Sequence, residues 1–382
     1  MTIALNKLDE LARDYESYTD KYFLRTRDIL DSEGVNPIVR YQVFARQDIV
    51  GLNGVDEAVN FVKGVAGDKV RIYALKDGEN YSSGEPMMKL EGHVQDLVAL
   101  ETVYLGLLSG NLTGDFDMGG VREKAKAVFE AAQGKPVLYF GARHFHPFLD
   151  ENLGKICQEE GFVGCSTDVG AKAWGGVGGG TTPHALFLAY AAHMDEFGIG
   201  GNATVEGARA FDRNVDSNVP RIILGCTFNK EVSDIVETAK VVPNLAGTRI
   251  DTCGENYTQE CNVRLPELDV NPKYLRGKGV KIASVWGLRQ GLDNSGLGHL
   301  SLAVSSGFNA EKTAAFVEAD RKYQEFFGKP LFDVIGTGSL AKPIMTTSDI
   351  VAYYNRPSDK WKPMAKVGRG EVASNRLEEV LE

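Results

Sequence analysis

Residues 220–251 read PRIILGCTFNKEVSDIVETAKVVPNLAGTRID. The apolar run RIIL stops at the polar CTFN, KEVSDIVETAKV reads as a helix, and a second apolar run closes on GTRI before DTCG. Strand, helix and strand in one short stretch are the grammar of a parallel sheet. The same rhythm extends in both directions. KPVLYF runs into GARHFHP, EGFVG into CSTD, HLSLAV into SSGF and FDVIG into TGS. Helical stretches separate most of them: DENLGKICQEE, ALFLAYAAHMDEF, VKIASVWGLRQGLD and NAEKTAAFVEADRKYQEFF. Continuous apolar runs suit strands buried on both faces. The expectation for 126–345 is an incomplete α/β barrel of about six parallel strands, opened by the helix VREKAKAVFEAAQG.

Residues 1–125 have a looser pattern. LNKLDELARDYESYTDKYFLRTRDILDSEG reads as two helices split near Tyr18-Thr19-Asp20, VRYQVFAR, DKVRIYAL and MMKLEGH as strands, and DEAVNFVKGV and DLVALETVYLGLLSG as helices. This order predicts an α+β domain with an antiparallel sheet. The tail, 346–382, carries TTSDIVAYYN and is expected to pack back on that domain and complete it.

Composition sets the outer bounds. A net charge of −10 argues against a general nucleic-acid binder, and no apolar run is long enough for a membrane span. The five cysteines form no CxxC pair, and the charged N-terminus is no secretory signal, so a reduced cytoplasmic chain is expected. Forty-three glycines in 382 residues exceed the usual ~7%, as loops that turn sharply or approach a ligand require.

Barrel chemistry sits at the carboxyl ends of the strands. Those ends carry Arg143, His144, His146, Ser166, Thr167, Asp168, Cys226, Arg249, Asp251, Ser305, Ser306, Thr337 and Ser339. SSGF and GTGS offer amides and hydroxyls ahead of helices, which is how late barrel strands hold a phosphate. Neither GGVGGG nor GTGS completes a dinucleotide fingerprint, and no Walker lysine is present. Arg249 and Asp251 stand two apart and point the same way, either as a buried ion pair or as a site for a phosphorylated sugar with Mg²⁺. His144 and His146 alternate onto one face, but a metal would need a third ligand nearby, so no protein-held metal is expected. Five glycines between 175 and 180 predict a flexible loop, and Pro183 suits the first position of a helix. That puts His184 in a first helical turn, where it either caps its loop or serves as a nucleophile toward phosphate.

With these residues in view, the chain resembles the nicotinate phosphoribosyltransferase family, of the type II phosphoribosyltransferase fold. TDKYF, FGAR, GCST, GTTPHAL, CTFNKE, RIDT, SSGF and GTGS appear in family order, from about Thr19 to about Val351. The resemblance implies transfer of a phosphoribosyl group from phosphoribosyl pyrophosphate to nicotinate in NAD biosynthesis. It also implies Mg²⁺ with the pyrophosphate, ATP hydrolysis coupled through a phosphorylated histidine, and a homodimer with shared active sites. Residue by residue, Tyr22 looks like the aromatic that stacks on the pyridine ring from the partner subunit, and Phe140 like the opposite face. Arg143 resembles the carboxylate or phosphate ligand, and Ser166 the pocket residue that is acidic in nicotinamide-using relatives. His184 matches the phosphorylated histidine. Arg249 and Asp251 match the ribose and Mg²⁺-pyrophosphate pair, and Thr181 falls in the substrate-binding GTTPHAL. Ser306, Gly307, Gly336, Thr337 and Gly338 would cradle the 5′-phosphate. Cys226 stands where the family usually has an aspartate, and His144 where a second arginine often follows. Quinolinate or nicotinamide as the base, and a non-catalytic metabolite-sensing relative, are the alternatives.

Overall fold

A computed structural model describes residues 5–381, so the outermost residues of 1–125 and 346–382 lie outside the described part. Two six-stranded sheets organise the chain. The first contains β1 (Ile38–Ala45), β2 (Val70–Ala74), β3 (Met88–His93), β10 (Thr346–Asn355), β11 (Lys360–Pro363) and β12 (Glu378–Glu379). Its order is β11-β10-β1-β3-β2-β12, antiparallel throughout. Three of its six strands therefore come from the tail, which completes this layer as the sequence implies. β1 is central because its burial is nearly continuous, and β10, buried along most of its length, pairs with it over the whole of β1.

The second sheet contains β4 (Val137–Tyr139), β5 (Gly164–Cys165), β6 (Arg221–Leu224), β7 (Leu245–Ile250), β8 (Ser301–Val304) and β9 (Val334–Thr337). Its order, β5-β4-β9-β8-β7-β6, is parallel at every pairing. Read in a circle this is chain order with one seam left unpaired, between β5 and β6. The fold is thus an α/β barrel of six strands, opened at a single place.

The glycine-rich stretch lies at that seam and is tied down on both sides. Gly179 N–H donates to Cys165 O of β5 at 2.7 Å, and Leu224 N–H of β6 donates to Thr182 Oγ1 at 2.9 Å. Gly176 and Gly178 N–H donate to Ala171 O and Asp168 Oδ1, and Arg25 donates to Gly180 O. The expected loop forms a strap that bridges the open edges. Directly after it, helix His184–Phe197 begins with Pro183 as its extended N-cap (φ −91°, ψ 164°), not as its first helical residue.

The two layers meet on helix Glu101–Thr113, which is buried around its whole circumference, as a helix inside a core must be. The backbone after β4 lies directly against it. A Cβ on Gly110 would come within 2.7 Å of His146 N and Cα, so only glycine permits this approach. That contact brings the short 3₁₀ turn Ala142–His144, and with it Arg143, beside the helix's first residue, Glu101. The helix Met118–Ala131 runs across residue 125 and packs on helix Ala310–Phe327, on the barrel side of the molecule.

Candidate active site

At the carboxyl ends of the barrel strands two cavities adjoin. One, of ≈ 90 Å³, is lined by Tyr22, Tyr41, Glu101, Arg143, His184, Arg249, Asp251, Asp349 and Lys366, among others. The other, of ≈ 200 Å³, is lined by Phe140, Arg143, His144, Arg249, Asp251, Ser305, Ser306, Gly307, Gly336, Gly338 and Ser339, with Met345. Arg143, Arg249 and Asp251 belong to both, so the two are lobes of one site hinged on an arginine pair and a carboxylate.

The larger lobe ends on backbone. Ser306 (φ +82°) and Gly307 (φ +69°) are consecutive left-handed residues, and such strain in a serine is a feature of ligand clamps. Lys312 supports this turn from behind. Its Nζ donates to Ser306 O at 2.7 Å and lies 4.4 Å from the Phe308 ring centre. Burial, and Lys281 after it, pull this amine down to about 7. Across the lobe Gly336 lies under the Phe140 ring, where a Cβ would come within 2.3 Å of ring carbon. His144 Nδ1 shares a hydrogen bond of 3.2 Å with Gly338 O, and burial, then Arg143, lower the ring to about 4.

At the hinge, Arg249 is 6% exposed yet weakly partnered. It donates to Ser305 Oγ at 3.5 Å and Thr182 O at 3.4 Å, stands 3.5 Å from Asp251 Oδ2, and its Nε has no partner. Asp251 accepts from Ser305 Oγ at 2.8 Å. A buried guanidinium with long contacts and a spare donor has the hydrogen-bonding capacity to take an anion. Beneath it, Asp251 N–H donates to Cys226 Sγ at 3.3 Å, and burial pushes that thiol up to about 12, so it stays protonated and lines neither lobe.

The smaller lobe holds His184. Its Nδ1 shares a 3.0 Å hydrogen bond with Thr227 Oγ1, and its Nε2 has no partner. Burial, then Lys366, Arg249, Arg369 and Arg143, hold the imidazole well below its usual 6.5. It is a neutral ring among cations, and it bonds to Thr227 and not to its own strap. Lys366 and Arg369 come from the tail and are clamped by Asp349 of β10 at 2.8 and 2.7 Å. Arg143 Nε stands 3.0 Å from Asp20 Oδ2, close enough for an ion pair but not aligned as a hydrogen bond, and its Nη1 donates to Glu101 at 3.3 Å. Burial drives Glu101 up to about 8, with Arg143 opposing.

Several expectations change on contact with this geometry. Tyr22 lines the cavity of its own chain, its ring 5.8 and 6.0 Å from Arg143 and Arg249. The cause is local: Asp20 pairs with Arg143, Lys21 with Asp168, and Arg25 reaches Gly180, pinning helix Lys21–Ser32 to its own barrel. Tyr22 and Phe140 fall in different lobes and meet only across the hinge. Ser166 lines neither lobe, and its Oγ is buried without a partner. Thr181 turns its hydroxyl to Thr182 O, at 3.4 Å. Thr337 donates to Phe308 O and accepts from Ser339 N–H, so its hydroxyl is used within the turn, while Gly336 and Gly338 line the lobe. His144 and His146 do not share a face, since His146 packs by Gly110 and Phe148. Glu101, Asp349 and Lys366 are additions from elements remote in sequence.

Comparison with known proteins bears on this arrangement. A family model described as the quinolinate phosphoribosyl transferase N-terminal domain matches residues 20–110. A curated nicotinate phosphoribosyltransferase of Mycobacterium tuberculosis is 24% identical over 177 residues, 46% of this chain and 37% of that protein; the match thus spans little more than a third of the relative's length. Among solved structures, the nicotinate phosphoribosyltransferase of Porphyromonas gingivalis superposes with a TM-score of 0.62 at 12% identity, covering 95% of each chain. That of Vibrio cholerae gives 0.61 at 11% identity, over 92% of this chain and 87% of its own. The chain has their fold, the type II phosphoribosyltransferase fold.

Proposed function

We propose that this protein is a nicotinate phosphoribosyltransferase, joining nicotinate to phosphoribosyl pyrophosphate with release of pyrophosphate. The observation that carries this reading is the two-lobed site hinged on Arg143, Arg249 and Asp251. A phosphoribosyl group has a phosphate at one end and an anomeric carbon at the other, and the site has a backbone cradle in one lobe and an aromatic pocket in the other. The 5′-phosphate rests on Ser306, Gly307, Gly336 and Gly338, the ribose spans the hinge, and the pyridine ring sits toward Tyr22. The likeness to the curated relative supports the same reading.

Displacement at the anomeric carbon breaks its bond to the pyrophosphate oxygen and forms one to the pyridine nitrogen. Charge grows on the departing pyrophosphate, and preorganised cations in a buried site stabilise it best. Arg249 has a free donor for that purpose, and Arg143 lines both lobes beside it. Among the described residues no group of three or more His, Cys, Asp and Glu is placed to hold a metal ion. Mg²⁺ would come with the pyrophosphate, with Asp251 as the carboxylate to hold it, and would neutralise leaving-group charge. His184, neutral and with Nε2 free, is suited to take a phosphoryl group from ATP, forming an N–P bond as ADP leaves. Lys366 and Arg369 would face the charge it then carries. A homodimer remains the proposed assembly.

The match of residues 20–110 favours quinolinate as a second reading. Against it, quinolinate brings a second carboxylate, and Lys366, the tail cation of the small lobe, is already held by Asp349. Purified protein with phosphoribosyl pyrophosphate and Mg²⁺, with and without ATP, given each of nicotinate, nicotinamide and quinolinate, tests the proposal. Nicotinate mononucleotide formed from nicotinate, faster with ATP, is expected. Product from quinolinate alone, or from no base, overturns it.

A further inference from the structure

Glu101 lines the small lobe at 5% exposure, and its carboxyl has one hydrogen-bond partner among the described residues, Arg143 at 3.3 Å. Asp20 already stands 3.0 Å from the same guanidinium. With both acids ionised the corner carries one net negative charge, and an anionic base would be repelled from it. With Glu101 protonated the corner is neutral, and a carboxyl O–H is available beside Arg143. The other groups facing Glu101 are Asp349 and Lys366 from the tail, and Tyr41, Tyr104 and Tyr22. Lys366 is committed to Asp349, and burial, among other influences, raises all three phenols, so none of them supplies a compensating charge near neutrality.

We propose that Glu101 is a specificity-determining residue of the base lobe, donating its carboxyl proton to the carboxylate of a pyridine carboxylate held by Arg143. This rests on the transferase reading above. Ionised, the same group repels a carboxylate and accepts an amide N–H, so its proton decides between nicotinate and nicotinamide. Burial places that change near pH 8. Between pH 7 and 9 the protonated fraction of such a group falls about tenfold while the ionised fraction rises about tenfold, and the preference for nicotinate should fall with their ratio.

The test measures kcat/KM for nicotinate and for nicotinamide from pH 6.5 to 9, in the wild-type enzyme and in Glu101→Gln, with melting temperatures taken in parallel. The nicotinate-to-nicotinamide ratio should drop about a hundredfold between pH 7 and 9 in the wild type, as the protonated form falls and the ionised form rises about tenfold each, and stay level in Glu101→Gln. A group acting only as an ion-pair partner of Arg143 would lower both rates without moving the ratio. Equal slopes in the two proteins, or a level ratio in the wild type, overturn the assignment. If Glu101→Gln does not fold, Glu101→Met, which leaves the lobe without a titrating proton, must show the same level ratio. If wild-type protein turns over neither base, and neither base raises its melting temperature, the transferase reading fails first and takes this assignment with it.

Discussion

Replacing Arg249 with methionine separates a binding arginine from a structural one. Its protein contacts are long, 3.4 to 3.5 Å, and its Nε has no partner, although the residue is 6% exposed. Asp251 keeps its 2.8 Å hydrogen bond from Ser305 when the arginine is gone. The stability lost should therefore be about 1 kcal/mol or less, the size of one ordinary net hydrogen bond. In the transition state, by contrast, Arg249 would make two charge-assisted hydrogen bonds to pyrophosphate, each worth roughly 1.5–3 kcal/mol. Losing both removes about 3–6 kcal/mol, or roughly 10²–10⁴ in kcat/KM. Arg289 is the internal control. It is similarly buried but donates to Leu331, Gly298 and Leu300 carbonyls and pairs with Asp333. Arg289→Met should unfold readily, with activity per folded molecule retained. Initial rates against phosphoribosyl pyrophosphate, with thermal melts, decide the matter. An Arg249→Met enzyme that melts far below wild type yet keeps its kcat/KM would refute the argument.

Tyr22→Ala should raise the Michaelis constant for the base, by the ~1 kcal/mol of a lost aromatic face. Because Tyr22 serves its own chain, mixing Tyr22→Ala with Arg249→Met subunits should restore no activity; recovery in proven hybrids would reinstate a shared site. His184→Ala should abolish ATP stimulation and nicotinate-dependent ADP release while nicotinate transfer survives more slowly. The melting temperature should change little, since one neutral hydrogen bond to Thr227 is lost, and retained ATP stimulation in that variant would end the phosphohistidine reading. Asp150 is raised from 3.8 to about 7, chiefly by burial. The folded state thus holds the proton more tightly, and its contribution to stability is full below pH 3.8 and lost as pH rises through 7. Asp150→Asn should flatten that part of the decline in melting temperature between pH 4 and 8; an unchanged slope would show the group is not buried neutral.

The barrel was legible because each strand is a continuous apolar run that stops at polar residues, and strand ends share one face whatever the helices between them do. Arg143, Arg249, Asp251, Ser306 and the glycines at 307, 336 and 338 reach the cavity for that reason. A strand end fixes where a residue stands, not where its side chain turns. Ser166 and Thr337 stand at the right ends, and Thr181 in the strap between two of them, but their side chains turn elsewhere, or to nothing. Glycine content suggested motion at 175–180, but the open seam between β5 and β6 supplies partners for those amides that no local pattern announces. Glu101, Asp349 and Lys366 carry no motif. They reach the site only because the tail joins the antiparallel sheet and Gly110 lets the chain after β4 settle against its helix.

The most direct measurement is a crystal structure of the protein with nicotinate mononucleotide bound. The account predicts the 5′-phosphate on the amides of Ser306–Gly307 and Gly336–Gly338, the ribose between Arg249 and Asp251, and the pyridine carboxylate beside Arg143 and Glu101 with the ring toward Tyr22. A phosphate bound away from those two turns, or a ring lodged outside the lobe that holds Tyr22 and Glu101, would contradict it.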